Sequence, residues 1–316
     1  MRYDICAVRA FAILLIVLHH AAYYLTQQPY GIDSTPIIGD SYSIYISSFS
    51  KIAGLGLFTY ISGMLLAMQA DRPRNVSRFL IKKFMRLLVP ATIFLAAYEL
   101  IFRGTLAAGW YHHLTATHLW YLPFIFIALV TTYLLRPGWN LIGGVKVLIL
   151  WALCYAIQYH AGIYTHQMEL YYPIFIAGYF HKHICNRYTA AAGYILAPIL
   201  FVNRFYHPIF NWVFYTPIIG ILASWAVVYT AGRIVRGPLG RVGTLLDRQS
   251  FHIYLIHQFV LNFILMALPL SGLAIKWTFP VFLLTLGGSL ALCLAYDAAS
   301  ASVVRAYRRL RPVNTP

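Results

Sequence analysis

Long apolar runs alternate with short polar and basic stretches from one end of the chain to the other. The runs cover residues 6–27, 44–69, 86–104, 119–135, 145–160, 168–182, 189–203, 210–231, 251–270 and 277–298. A helix needs about 20 apolar residues to cross a bilayer. Several runs are shorter, so tilted or partly buried helices are expected among them. No repeat, low-complexity tract or intervening soluble segment breaks the series. The pattern predicts an all-α, polytopic integral membrane protein with about ten transmembrane helices. It is expected to form one membrane-embedded domain over residues 1–316, with no appended soluble domain.

Composition agrees with the pattern. The chain is 60% hydrophobic and only 10% charged, with a mean hydropathy of +0.68. A soluble core cannot hide that much apolar surface. The formal net charge of +16 does not point to nucleic acid, because the basic residues lie in short clusters between apolar runs rather than in an arm or a base-reading motif. They set orientation instead. With the N-terminus in the cytoplasm, the inside loops hold Arg72, Arg74, Arg78, Lys82, Lys83, Arg86, Arg136, Lys146, Lys182, Arg187, Arg233, Arg236, Arg241 and Arg248, and the tail adds Arg305, Arg308, Arg309 and Arg311. The outside loops hold little beyond Arg103, Arg204 and Lys276, and residues 28–43 carry Asp33 and Asp40 without a Lys or Arg. Positive loops stay inside, which puts both termini in the cytoplasm. Asp4 and Arg9 flank a run with no convincing cleavage site, so it reads as a retained first helix rather than a signal peptide. Cys6, Cys154, Cys185 and Cys293 are scattered and support neither a zinc cluster nor a disulfide framework.

Against this apolar background the ionisable residues stand out. Arg9 and His20 both lie in the first run. Helical geometry puts them within about 20° of one face and about 16 Å apart along the axis. An ionisable side chain inside a bilayer is by default a functional candidate, although a snorkelling Arg and a hydrogen-bonded core His are the plain alternative. In the second run, Gly54, Gly56 and Gly63 permit close helix packing, and Ser62 either bonds its own backbone or contacts a substrate. Arg78, Lys82 and Arg86 recur along one helical face, with Lys83 beside them. Such a face serves either as an anchor to anionic lipid or as a cradle for phosphates. Further on, Trp110–Tyr121 contains His112, His113 and His118 with Trp120, at a spacing that matches no metal signature, so no metal is expected. Ser250, Tyr254 and His257 fall on one face of a late helix.

Taken in order, these elements resemble the membrane acyltransferase type 3 family, which includes bacterial O-acetyltransferases of surface polysaccharides. Arg9-x10-His20 is similar to the family's first-helix pattern, and Tyr60-Ile61-Ser62-Gly63 to its second-helix stretch. Lys83-x-x-Arg86 before Leu87-Leu88-Val89-Pro90 resembles its Arg-x-x-Arg element. His118-Leu119-Trp120-Tyr121-Leu122 and Ser250-Phe251-His252-Ile253-Tyr254-Leu255-Ile256-His257 resemble two further motifs. Two departures stand out: Lys83 replaces the usual first Arg, losing bidentate geometry, and Asp4 lies farther from Arg9 than the family's acidic residue usually does.

The resemblance implies an O-acyltransferase, most often an O-acetyltransferase, in the plasma (bacterial inner) membrane. It would use acyl-CoA (acetyl-CoA) as co-substrate, with no bound cofactor, and acylate a carbohydrate or lipid-linked glycan, with polysaccharide-assembly proteins and membrane lipid as partners. His20 and Arg9 are then the catalytic residues, with His20 either a general base or an acyl relay. Lys83, Arg86, Arg78 and Lys82 would bind acyl-CoA. Ser62, His118, Trp120, Ser250, Tyr254 and His257 would contact substrate. A transporter of a glycolipid or small anion is the rival reading, and a non-catalytic assembly partner a third.

Overall fold

In a computed structural model, the described residues are 5–26, 40–70, 75–106, 117–161, 166–206, 215–234, 238–268, 270 and 272–310. Asp4, Asp33, Arg72, Arg74, His112 and His113 lie outside them. The described chain is helical: α1 (Ile5–Thr26), α2 (Ser41–Ala70), α3 (Val76–Arg103), α4 (Tyr121–Leu135), α5 (Leu141–Ala161) and α6 (His166–Tyr179). It continues as α7 (His181–Ile184), α8 (Arg187–Tyr206), α9 (Tyr215–Ile234), α10 (Pro238–Ala267) and α11 (Ala274–Leu310). A 3-10 turn at His118–Trp120 leads into α4.

The described residues of the ten apolar runs lie mostly on helices, but several boundaries move. The basic face and the run after it form one continuous helix, α3, so Lys83 and Arg86 belong to its first turns rather than to a loop. Helix α10 likewise begins a dozen residues before the run at 251 does, carrying polar residues on its leading turns. Six described helices are long and apolar enough to cross a membrane: α1, α2, α3, α4 with its preceding turn, α10 and α11. Helices α5 and α9 contribute shorter apolar stretches, Leu141–Leu153 and Tyr215–Ala231.

Helix α1 is the hub. It packs on α2, α9, α10 and α11, and its residues Val8, Ala12, Ile13, Ile16 and Val17 are almost wholly buried. Helix α2 in turn packs on α6 and α9. By contrast, α3 leans only on α4 and α10 among the stronger contacts. The outer helices expose large apolar side chains, such as Ile93 and Leu100 on α3, Leu141 and Leu148 on α5, and Leu283 and Leu292 on α11. Apolar surface on this scale suits contact with lipid chains and would be costly in water.

Polar clamps fix the hub in place. His19 on α1 is 2.9 Å from Ser47 Oγ and donates through Nδ1 to Ser47 O at 3.0 Å on α2. Asp40 accepts from the backbone N–H of Ser43 at 2.8 Å and of Ile275 at 2.7 Å, so one carboxylate caps the starts of both α2 and α11.

The α2–α6 crossing depends on two glycines. A Cβ at Gly63 would lie 2.0 Å from Phe175 O, and one at Gly178 would lie 1.9 Å from Tyr60 O. Both obstacles are backbone, which cannot step aside as a side chain can. Gly178→Val is therefore expected to cost about 3 kcal/mol or more and to lower the yield of folded protein. Gly287→Ala, where a Cβ meets nothing within 4 Å, is the matched control and should be neutral or mildly stabilising. Fluorescence-detected size exclusion with a thermal ramp compares the two.

Candidate active site

Two features lie along the contact between α1 and α10. Near the start of α1, Arg9 Nη1 is 3.1 Å from Asp247 Oδ1 on α10, and Arg9 Nη2 donates to Ser250 Oγ at 3.4 Å. Ser250 itself donates to Asp247 O at 2.8 Å. Farther along α1, the His20 ring lies 4.8 Å from that of His257 on α10 and 6.0 Å from that of His118 in the 3-10 turn. His118 and His257 are 4.7 Å apart, closing a cluster of three imidazoles. The α1 stripe of Arg9 and His20 thus faces the α10 stripe of Ser250, Tyr254 and His257.

A cavity of about 250 Å³ opens beside Arg9. Lys83 and Arg86 from α3 join Arg9 in lining it, so three cations share its walls. Its other walls are largely apolar, with Phe58, Leu65, Leu122 and Leu129 among them, and Ser62, Tyr121, Ser250 and Tyr254 add hydroxyls. Ser62, also in the lining, donates to Phe58 O at 2.8 Å, so its hydroxyl hydrogen is spent on its own helix.

His20 is not part of this lining. Tyr254 lines the cavity and reaches the histidines, and the Tyr121 ring, also in the lining, lies 5.9 Å from its ring. The Tyr254 hydroxyl donates to the backbone carbonyl of His118, and its ring lies 5.4 Å from the His118 ring and 5.9 Å from that of His257. Thr59 donates to the Tyr121 hydroxyl at 3.3 Å. Tyr254, held by its hydroxyl, therefore stands between the cavity and the histidine cluster, with Tyr121 packed beside it.

His20 Nδ1 lies 2.9 Å from Ile16 O, one turn back on its own helix. A carbonyl only accepts, so Nδ1 carries the hydrogen and Nε2 keeps a lone pair. This is the tautomer that can take a proton or attack a carbonyl carbon.

The other expected site residues divide cleanly. Lys83 and Arg86 line the cavity, whereas Arg78 and Lys82 are exposed on α3 and do not. Around the helix the four follow the order Arg78, Lys82, Arg86 and Lys83, in steps of about 40°, 40° and 60°, and the cavity lies on the side of the last two. Trp120 does not line the cavity either, and packs against Tyr121 and Tyr171 at 5.9 Å each. Asp247, Tyr121 and Gln258 were not singled out from the sequence. Asp247 is one turn before Ser250, Tyr121 follows Trp120, and Gln258 follows His257, so each sits within or beside a recognised motif.

A model of an acyltransferase domain matches residues 2–297. The chain belongs to the acyltransferase type 3 family. No curated protein and no solved structure gives a significant match. Every motif of the acyltransferase type 3 resemblance lies within the matched span, and the structure gathers them from helices far apart in sequence. With six helices able to cross a bilayer, this is a membrane protein of the acyltransferase class.

Proposed function

We propose that this protein transfers an acyl group, in the first instance acetyl, from acyl-CoA to a hydroxyl of a carbohydrate or lipid-linked glycan. One observation carries the reading: a cavity with three cations in its walls and an apolar body ends at a tyrosine wall, with a base-competent histidine beyond it. CoA is an anion at its nucleotide end and a flexible, mostly neutral arm at its thioester end. Arg9, Lys83 and Arg86 suit its phosphates, and the apolar walls suit the arm.

The basic loops favour a protein with ten membrane crossings and both termini in the cytoplasm, in the plasma (bacterial inner) membrane, with polysaccharide-assembly proteins as partners. That orientation sets the cavity toward the compartment that holds acyl-CoA. The chemistry then balances as follows. His20 Nε2 takes the proton of the acceptor hydroxyl, and the oxygen attacks the thioester carbonyl. The C–S bond breaks, the ester forms, and the imidazolium returns its proton to the departing CoA thiolate. Alternatively His20 Nε2 attacks the carbonyl first, the C–S bond breaks and CoA leaves as the thiolate; the acceptor hydroxyl then displaces the acyl group, its released proton balances the thiolate, and the neutral imidazole is restored. The match to an acyltransferase domain over residues 2–297 weighs against a transporter.

The donor end can be tested on purified protein by following CoA release and ester formation. Arg86→Ala is expected to raise the acetyl-CoA concentration for half-maximal rate about tenfold, and Lys83→Ala by less. The guanidinium engages a phosphate in bidentate fashion, and the ammonium does not. The acceptor requirement should not move. If both substitutions together leave the donor requirement unchanged, the phosphates are not held there. If they lower only the amount of inserted protein, the α3 cations serve as a lipid anchor.

A further inference from the structure

The three imidazoles of the cluster have one property that acyl transfer alone leaves unused. Each commits its Nδ1 as a donor. His20 gives it to Ile16 O, His257 to Tyr254 O at 2.8 Å and Ile253 O at 3.1 Å, and His118 to Oε1 of Gln258. The orientation of Gln258 is fixed from both ends. Its Oε1 also accepts from the His118 backbone N–H at 3.2 Å, and its Nε2 donates to the Tyr24 hydroxyl at 2.7 Å. All three rings therefore present Nε2 as an acceptor.

His118 and His257 are 4% and 0% exposed, and neither Nε2 has a hydrogen-bond partner. A buried acceptor without a donor is costly, and two of them beside a third make a site that is short of donors. No group of His, Cys, Asp and Glu among the described residues is arranged to hold a metal ion. Neutral acceptors in an apolar interior are best matched by uncharged O–H groups, which can also yield a proton.

We propose that His118 and His257 receive a second hydroxyl of the acceptor, adjacent to the one that His20 activates. The favoured acceptor is then a vicinal diol, such as two neighbouring free hydroxyls on a sugar ring. This rests on the reading of His20 as the residue that meets the acceptor. The reacting hydroxyl gives its proton to His20 Nε2, and its neighbour donates to His118 or His257 Nε2. The second contact fixes the ring so that the attacking oxygen faces Tyr254 and the donor cavity. Because the two nitrogens are sealed, the diol reaches them only when the Tyr254 ring, which touches both histidines, turns away, and the same movement opens the donor cavity to the attacking oxygen.

The test uses the full-length protein in nanodiscs with acetyl-CoA and a panel of octyl glycopyranosides, each beside its monodeoxy counterparts, with ester formation read by mass spectrometry. Removing the hydroxyl next to the acylated position is expected to lower kcat/KM about ten- to hundredfold in the wild-type protein. In His118→Ala or His257→Ala that discrimination should shrink toward one, because the parent acceptor loses a contact that the monodeoxy acceptor never makes. Equal wild-type rates on parent and deoxy acceptors overturn the proposal without recourse to any variant. So does discrimination that survives in both variants. Ester formation on deoxy and parent alike leaves the transferase reading standing while removing the diol. Absence of ester on every glycoside overturns the carbohydrate reading and the diol with it.

Discussion

His20→Ala is expected to lower acyl transfer by about 100- to 10,000-fold, the range that a general base contributes. The protein should remain inserted and folded, because the His20 ring contributes one backbone hydrogen bond within its own helix, to Ile16 O, and the substitution shortens a single buried side chain. His19→Ala is the informative neighbour. His19 points about 100° away and spends its Nδ1 on the clamp to Ser47. Its loss should cost stability, read as a lower melting temperature, and leave the rate per folded molecule within a few fold. Ester formation by purified His20→Ala at more than about a tenth of the wild-type rate would end both the base and the relay roles.

The second large effect is expected at Tyr254. Its ring stands between the cavity and the histidine cluster, and its hydroxyl is tied to the backbone of His118. Removing a wall that excludes water exposes a reactive thioester to side reactions. Tyr254→Ala should therefore raise acceptor-independent hydrolysis of acetyl-CoA by at least about tenfold while transfer to a glycoside falls. Tyr254→Phe keeps the ring and loses only the tie to His118 O, so its hydrolysis should stay close to wild type. The gain in hydrolysis should disappear in the His20→Ala, Tyr254→Ala double variant, since the same nitrogen would activate the water. Hydrolysis unchanged in Tyr254→Ala would show that the tyrosine is not the barrier.

Much of this arrangement was legible before any coordinates. The spacing of Arg9 and His20 placed them on one stripe, and that of Ser250, Tyr254 and His257 on another, because helical period is a local property. Ser62 bonding its own backbone and Gly63 at a close crossing were readable for the same reason. What could not be read was which stripe meets which. The Arg9–Ser250 hydrogen bond spans 241 residues of chain, and no periodicity announces a partner so distant. Asp247 illustrates the limit. No motif of the sequence marks it, yet in the fold its carboxylate lies 3.1 Å from Arg9 Nη1. The basic face of α3 shows the same limit: of its four cations Lys83 and Arg86 line the cavity while Arg78 and Lys82 are exposed beside it, and spacing alone does not say which side of the helix the cavity takes.

The separation of the donor cavity from His20 also has a signature in steady-state kinetics. If His20 acts as a base, the donor waits on one side of the tyrosines while the acceptor gathers at the imidazoles on the other. Both substrates then occupy the protein together, and double-reciprocal plots at several fixed acceptor concentrations must intersect. If His20 first accepts the acyl group, CoA departs before the acceptor is needed, and the same plots run parallel. The wall thus turns a question about one nitrogen atom into the slope of a line.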